Sequence, residues 1–305
     1  MNRWLVTGAG GMLGRDLVGV LRGLNEPVVA ATRKDLDIAD RYSVRAMVSE
    51  HQPTTIVNCA AWTRFHEAEL SEADALLVNG RGVRELASVC RDRSIRLVHL
   101  SSDYVFDGKG SRPYAETAAT GPINAYGRTK LAGEQAVLEL LPGDGVIVRT
   151  AWLYGRHGTN FIRKMVQLER MRSTVDVVDD QWGQPTWTVD LAEQIVALVR
   201  HGAAGVFHGT SSGETTWYDV ARMTFRLLGA DPGRIRPVRS DQVADGELRP
   251  RYTVLGHAAW HEAGLTPMRH WADALAQSFH LLADDARQSL SKRETQARDP
   301  SERPE

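Results

Sequence analysis

Short apolar runs alternate with longer amphipathic stretches over the first half of the chain. Trp4–Thr7, Val28–Thr32, Thr55–Asn58, Arg96–Ser101 and Val146–Thr150 read as strands. Met12–Gly23, Ser43–Glu50, Glu72–Arg91 and Ala125–Leu140 carry the i, i+3, i+4 spacing of helices with one apolar face. Each is long enough to cross back over a sheet, so the alternation predicts an α/β fold with a doubly wound parallel sheet of Rossmann type. After Thr150 the pattern loosens. Helices are expected near Asn160–Arg170, Val189–Arg200, Trp217–Leu228 and His270–Ala283, with strand-like pieces at Val175–Val178 and Gly205–His208. Residues 1–150 should therefore form the sheet domain, with some later segments returning to it, and 151–286 a smaller C-terminal lobe. Residues 287–305 hold one leucine, no aromatics and many charges, and are expected to be a disordered tail.

Composition narrows the partners. Thirty-seven basic residues against thirty-eight acidic leave a net charge of −1 on 305 residues, whereas phosphate-neutralising nucleic-acid binders and polybasic membrane-surface proteins carry a basic excess. No nucleic acid and no membrane is expected, and small soluble ligands become the default. Cys59 and Cys90 lack CxxC spacing and cannot build a disulfide framework, which fits a reducing cytoplasm. No apolar run approaches the roughly 20 residues that span a bilayer, and the chain passes from Met1-Asn2-Arg3 directly into the first strand, unlike a signal peptide. Cytoplasmic localisation is expected.

Gly8-Ala9-Gly10-Gly11-Met12-Leu13-Gly14 joins the first strand to the first helix. Glycine supplies the φ values of a tight turn and lets backbone approach a pyrophosphate, which the N–H groups at the helix start then bind. Its spacing places glycines at 8, 11 and 14, unlike the G-x-G-x-x-G of simple dehydrogenases. At the end of the second strand stands Thr32-Arg33-Lys34-Asp35. Arg33 and Lys34 would suit the 2′-phosphate of NADPH, while Asp35 sits near the offset of a residue that binds the NADH ribose, so NADPH is preferred and NADH stays open.

Tyr126 and Lys130 lie four apart at the start of a helix, on one face. A phenol titrates near 10 unperturbed, and a neighbouring ammonium lowers that by favouring phenolate. By itself such a pair is common on exposed helices. It gains force from Ser101-Ser102-Asp103-Tyr104-Val105-Phe106-Asp107-Gly108, which leaves the fourth strand where ligands of open α/β sheets bind. A Ser102 hydroxyl there could bond the oxygen that Tyr126 protonates, so the three residues form a coherent hydride-transfer site. Ten histidines show no HExxH or cysteine-supported spacing, and no metal site is assigned. Trp152 abuts the strand end that carries the site, and Arg249 offers a planar guanidinium suited to phosphate oxygens.

These motifs, together with Leu36-Asp37-Ile38, Val57-Asn58-Cys59-Ala60-Ala61-Trp62-Thr63, Arg149-Thr150-Ala151-Trp152-Leu153-Tyr154-Gly155 and Asp180-Gln181-Trp182-Gly183-Gln184-Pro185-Thr186, resemble the extended short-chain dehydrogenase/reductases, and among them the dTDP-4-dehydrorhamnose reductase family, over about residues 3 to 280. The resemblance implies reduction of the 4-keto group of a dTDP-linked 6-deoxy-L-hexose by NADPH or NADH. It implies Tyr126 as proton donor, Lys130 as its partner and ribose ligand, and Ser102 where the family usually has threonine. Gly8, Gly11, Met12, Leu13 and Gly14 would hold the pyrophosphate, Arg33, Asp37 and Ile38 the adenosine end, and Ala60, Ala61 and Trp62 the nicotinamide side. Ser102, Asp103, Trp152 and Arg249 would meet the sugar nucleotide. The family usually follows its Ala-Ala-aromatic-Thr stretch with a small apolar residue and an aspartate. This chain has Arg64-Phe65-His66 instead, most similar to the dTDP-dihydrostreptose synthase branch of streptomycin-type antibiotic biosynthesis, so dTDP-L-dihydrostreptose and dTDP-L-rhamnose both stand as products. Some members use Mg²⁺ for dimerisation, so Mg²⁺ and a homodimer stay open. A non-catalytic dinucleotide-binding subunit and a sugar-nucleotide epimerase are the alternatives. Ser102, Tyr126 and Lys130 together favour an enzyme.

Overall fold

A computed structural model describes residues 2–243 and 249–283; the expected tail, 287–305, lies outside the described residues. The strands β1 (Trp4–Thr7), β2 (Val28–Ala31), β3 (Thr55–Asn58), β4 (Arg96–Ser102) and β5 (Gly145–Thr150) fall where the apolar runs place them. They join a sixth strand, Gly205–His208, in a parallel sheet ordered Gly205–His208, β5, β4, β3, β1, β2. Every residue of β1, β3 and β5 is buried, which is why these strands read as continuous apolar runs: helices cover both faces of a parallel sheet.

On one face α1 (Met12–Gly23) buries Leu13, Leu17 and Leu21 with Leu191, Ile195 and Leu198 of the helix Thr188–His201. On the other, Val44 and Val48 of α2 (Arg41–His51) pack with Leu86 and Cys90 of the helix Val83–Arg93 and Val137 of the helix Ala125–Leu140. The second half of the chain thus supplies both a strand and a covering helix to the sheet. The rest forms the lobe, where the helices Phe161–Met171, Trp217–Leu227 and 271–283 pack around Ile162, Val166, Val220 and Leu275. Short ladders tie it together, among them Val175–Val178 beside Ile235–Val238 and Trp182–Gly183 beside Thr215–Thr216.

Two local features depart from the periodicity. The single helix expected over Glu72–Arg91 is α-helical at Glu72–Leu76, π-helical at Leu77–Gly82 and α-helical again at Val83–Arg93. A wide turn has no signature in apolar spacing, and such insertions concentrate at functional sites. A short helix, Phe65–Leu70, also precedes it.

The helix Ala125–Leu140 starts at Asn124, whose side chain accepts from the Gly127 N–H at 2.8 Å. Farther along, Glu134 takes both ends of the Arg149 guanidinium at 2.9 and 2.8 Å, with the two side chains 1% and 5% exposed. This bidentate pair fixes the helix to β5. Because removing one partner strands the other charge in the interior, Glu134→Ala is expected to cost about 3–5 kcal/mol of stability. Urea unfolding measures it, and a loss under about 1 kcal/mol would mean that the pair does not hold this helix to the sheet.

Candidate active site

At the carboxyl ends of β1 to β4 lies a cavity of about 560 Å³. Its floor is the turn between β1 and α1. Gly8 has φ +63, and a Cβ added there would lie 2.5 Å from the Ala60 backbone nitrogen. A Cβ on Gly14 would lie 2.4 Å from the Gly8 carbonyl oxygen. Both contacts are with backbone, so a side chain at either position would displace the turn itself. Helix α1 begins at Gly11 with no side-chain cap and no acidic residue in its first turn. Its first N–H groups and positive dipole end therefore face the cavity without a carboxylate to occupy them, the chemistry that an anionic pyrophosphate requires.

The thirteen cofactor positions expected from the sequence all line this one cavity: Gly8, Gly11, Met12, Leu13, Gly14, Arg33, Asp37, Ile38, Ala60, Ala61, Trp62, Tyr126 and Lys130. Arg33 lines this cavity next to Thr32. Asp35 folds back instead, accepting from the Thr32 N–H at 2.9 Å and the Thr32 hydroxyl at 2.6 Å. These bonds hold its carboxyl below the usual range. Asp35 is thus spent on closing its own turn, while Arg33 and Asp37 both line the cavity.

At the other end stand Tyr126 and Lys130, with the buried Ser102 and Asp103 behind Tyr126, lining neither this cavity nor the one in the lobe. Tyr126 lies half-buried with its ring edge-on to Tyr104 at 5.8 Å. Burial, reinforced by the Asp103 carboxylate and opposed by the Ser102 hydroxyl, pushes its phenol up to about 12. Ser102 Oγ donates to Asp103 Oδ1 at 2.9 Å. Asp103 is buried, which raises its carboxyl to about 6, and its Oδ2 has no hydrogen-bond partner among the described residues. Lys130 is 2% exposed, and its Nζ donates to the Leu100 carbonyl at 2.6 Å. Desolvation lowers it to about 8, partly countered by Glu134 and Cys59.

This differs from the sequence expectation in one respect. Lys130 was expected to draw the phenol down, but its ammonium is anchored on Leu100 and burial governs the tyrosine. The site holds a neutral phenol at pH 7 beside a mostly protonated lysine. That set can donate a proton to an oxygen acquiring negative charge.

Sequence reasoning missed Asn79. It sits in the π-helical turn, fully buried, with Oδ1 accepting from the Trp62 N–H at 2.8 Å and Nδ2 donating to the Trp62 carbonyl and to Thr129 Oγ1, each at 3.1 Å. It clamps the cavity wall to the catalytic helix. The one available signal was an amide inside a helix with apolar neighbours. Asn58 does related work beneath the site, accepting from Thr7 Oγ1 at 2.6 Å and meeting His99 Nδ1 at 3.1 Å through its Nδ2.

A second cavity, of about 730 Å³, lies in the lobe. Its wall brings Arg163, Lys164, Arg249 and Arg251 together with Phe161 and Trp217. Gly158 on its rim packs toward Met12 of the first cavity, so the two are neighbours. Arg249 thus lies on the lobe wall. Trp152, which has φ +47, lines neither cavity. Its indole stacks flat on Trp217 at 3.6 Å and covers Gly183.

The family model of the RmlD substrate binding domain matches residues 2–283. The chain is 80% identical over 284 residues to a dTDP-4-keto-6-deoxy-D-glucose reductase of Streptomyces niveus, covering 93% of this chain and 99% of the relative. It is 54% identical to a dTDP-4-dehydrorhamnose reductase of Streptomyces griseus, with 93% and 95% covered. Among solved structures, the dTDP-4-dehydrorhamnose reductase of Bacillus anthracis in complex with NADP superposes with a TM-score of 0.88 at 34% identity, covering 91% of this chain and 98% of that one.

The tight turn makes Gly14→Ala a sharp test of the cavity floor. The added methyl should weaken NADPH binding tenfold or more, about 1.4 kcal/mol, in a fluorescence titration. Unchanged affinity would show that the turn does not hold the dinucleotide.

Proposed function

The chain belongs to the RmlD substrate binding domain family and is an NAD(P)H-dependent oxidoreductase, and from that premise we propose that it reduces the 4-keto group of a dTDP-linked 4-keto-6-deoxyhexose with NADPH. The observation that carries this reading is the pairing of two cavities: one joins an uncapped helix N-terminus to Tyr126 and Lys130, and its neighbour gathers four cations and two aromatic side chains. The first suits a dinucleotide. The second suits a nucleoside diphosphate, because guanidinium groups take phosphate oxygens and aromatic faces stack on a base.

When bound, the nicotinamide supplies a hydride to the sugar C4. Tyr126 gives its proton to the C4 oxygen as charge develops there, a transfer from phenol to the stronger base alkoxide. Ser102 steadies the phenol through its hydroxyl and is itself fixed by Asp103. Lys130 holds the cofactor ribose with its ammonium, which the Leu100 carbonyl fixes in the cavity wall. Arg33 meets the 2′-phosphate. Its place in the cavity wall, with Asp35 withdrawn, supports NADPH over NADH.

The 80% identical relative is named as a dTDP-4-keto-6-deoxy-D-glucose reductase, which supports simple ketone reduction of a six-membered ring over the ring-contracted dihydrostreptose. Convergence of Ser102, Tyr126 and Lys130 supports turnover rather than a purely binding role.

Incubation with NADPH and, in parallel, dTDP-4-keto-6-deoxy-D-glucose and dTDP-4-keto-6-deoxy-L-lyxo-hexulose, followed by NMR of the products, tests the reading. A six-membered 4-hydroxy sugar is expected, and no consumption of NADPH would refute it. Tyr126→Phe should lower kcat about 10²–10⁴-fold while leaving NADPH affinity nearly unchanged. Because Lys130 loses its proton near pH 8, its positive charge is present below that pH and lost above it. The rate should fall as pH rises through about 8, and Lys130→Met should remove that limb along with most of the activity; a limb retained in Lys130→Met would assign it to another group. Arg33→Ala should raise the Kd for NADPH more than that for NADH, and equal losses would end the case for a 2′-phosphate contact.

A further inference from the structure

Between the two cavities stands a side chain to which the reaction described above gives no role. Phe65 opens the short helix Phe65–Leu70, just beyond Trp62, Thr63 and Arg64 on the wall of the cofactor cavity. Three groups surround its half-buried ring. The Arg249 guanidinium lies over it at 4.8 Å, the Tyr104 ring meets it edge-on at 6.1 Å, and the His66 ring stacks on it at 4.4 Å. Tyr104 in turn meets Tyr126 edge-on at 5.8 Å. A row of apolar faces therefore runs from a cation on the wall of the lobe cavity to the proton donor: Arg249, Phe65, Tyr104, Tyr126.

We propose that Phe65 is a positioning residue for the sugar nucleotide, the platform that holds the Arg249 guanidinium at the passage between the two cavities. The inference rests on the reading that a nucleotide sugar spans them. Its diphosphate then lies by the lobe cations while its C4 oxygen reaches Tyr126, so the molecule passes the Phe65 ring. Arginine is a long side chain with several rotatable bonds, and ordering it costs conformational entropy. A flat aromatic face orders the guanidinium in advance, in an orientation that keeps its planar N–H edge off the ring and turned toward phosphate oxygens. The partner selected is an anionic nucleoside diphosphate sugar, and the dinucleotide in the other cavity should be indifferent to Phe65.

The test is a set of variants assayed with NADPH and the dTDP-keto sugar. Phe65→Leu, which keeps an apolar side chain but loses the π face, should raise KM for the sugar nucleotide about three- to thirtyfold. In the same variant kcat should stay within about threefold and the Kd for NADPH should not change. Phe65→Tyr should restore KM to within about twofold of wild type, which a merely space-filling role would not require. In the double variant with Arg249→Ala, Phe65→Leu should add little to the effect of Arg249→Ala alone. An unchanged KM in Phe65→Leu, a Phe65→Tyr no better than Phe65→Leu, or effects that multiply in the double variant would each overturn the proposal. Should the Phe65 variants fail to fold, Arg249→Lys, which keeps the charge and loses the planar contact, should still raise KM severalfold, and an unchanged value would overturn the proposal equally. A wild-type protein that does not consume NADPH with this substrate would refute the proposed reaction and the inference with it. A wild type that turns over alongside indifferent variants would refute the inference alone.

Discussion

An ammonium group held out of water beside a phenol is the constraint on which this architecture depends. Lys130 has almost no exposure and a single short bond, to the Leu100 carbonyl at the end of β4. Burying a cation is expensive unless its surroundings are arranged around it. Much of the neighbouring structure can be read as that arrangement. Asn124 caps the catalytic helix, the Glu134–Arg149 pair ties it to β5, and Asn79 joins it to the cavity wall through Thr129 and Trp62. The fourth strand delivers both the anchor for Lys130 and, two residues on, the Ser102 hydroxyl.

Electrostatics at the site are set by burial before they are set by charge pairs. Desolvation is the largest influence on Tyr126, Asp103 and Lys130, and it pushes all three toward their neutral forms. The phenol keeps its proton, the carboxyl titrates near 6 and the lysine near 8. A dinucleotide and a sugar nucleotide are both anionic, and in the proposed reading the open start of α1 and the lobe cations would meet them locally. A chain of net charge −1 therefore needs no global basic excess to bind them.

Much of this was legible in the amino-acid sequence, and the parts that were not have physical causes. Strands β1, β3 and β5 are buried throughout and so appear as short apolar runs. The glycine turn was readable because its spacing is a backbone requirement, visible in Gly8 and Gly14, where no side chain fits. Tyr126, Lys130 and Ser102 were readable as chemistry placed at strand ends and at a helix start. The π-helical turn was not, since apolar periodicity blurs when one residue is inserted, and Asn79 was hidden with it. The return of Gly205–His208 to the sheet edge was foreseen only in outline. The tyrosine's acidity was misjudged because sequence shows that a lysine is near but not that its ammonium is fastened elsewhere. Phe65 looked like a local departure, and only the folded chain brings Arg249, 184 positions later, over its ring.

The central claim is that this chain moves hydride to C4 while Tyr126 protonates the oxygen, and isotope placement tests it most directly. With NADPH deuterated at the transferable position of the nicotinamide, the account predicts one deuterium at C4 of the product sugar and none at its other carbons, as read by proton NMR. Deuterium kept by the cofactor, or solvent deuterium entering C4 during a reaction in D₂O with unlabelled NADPH, would contradict it.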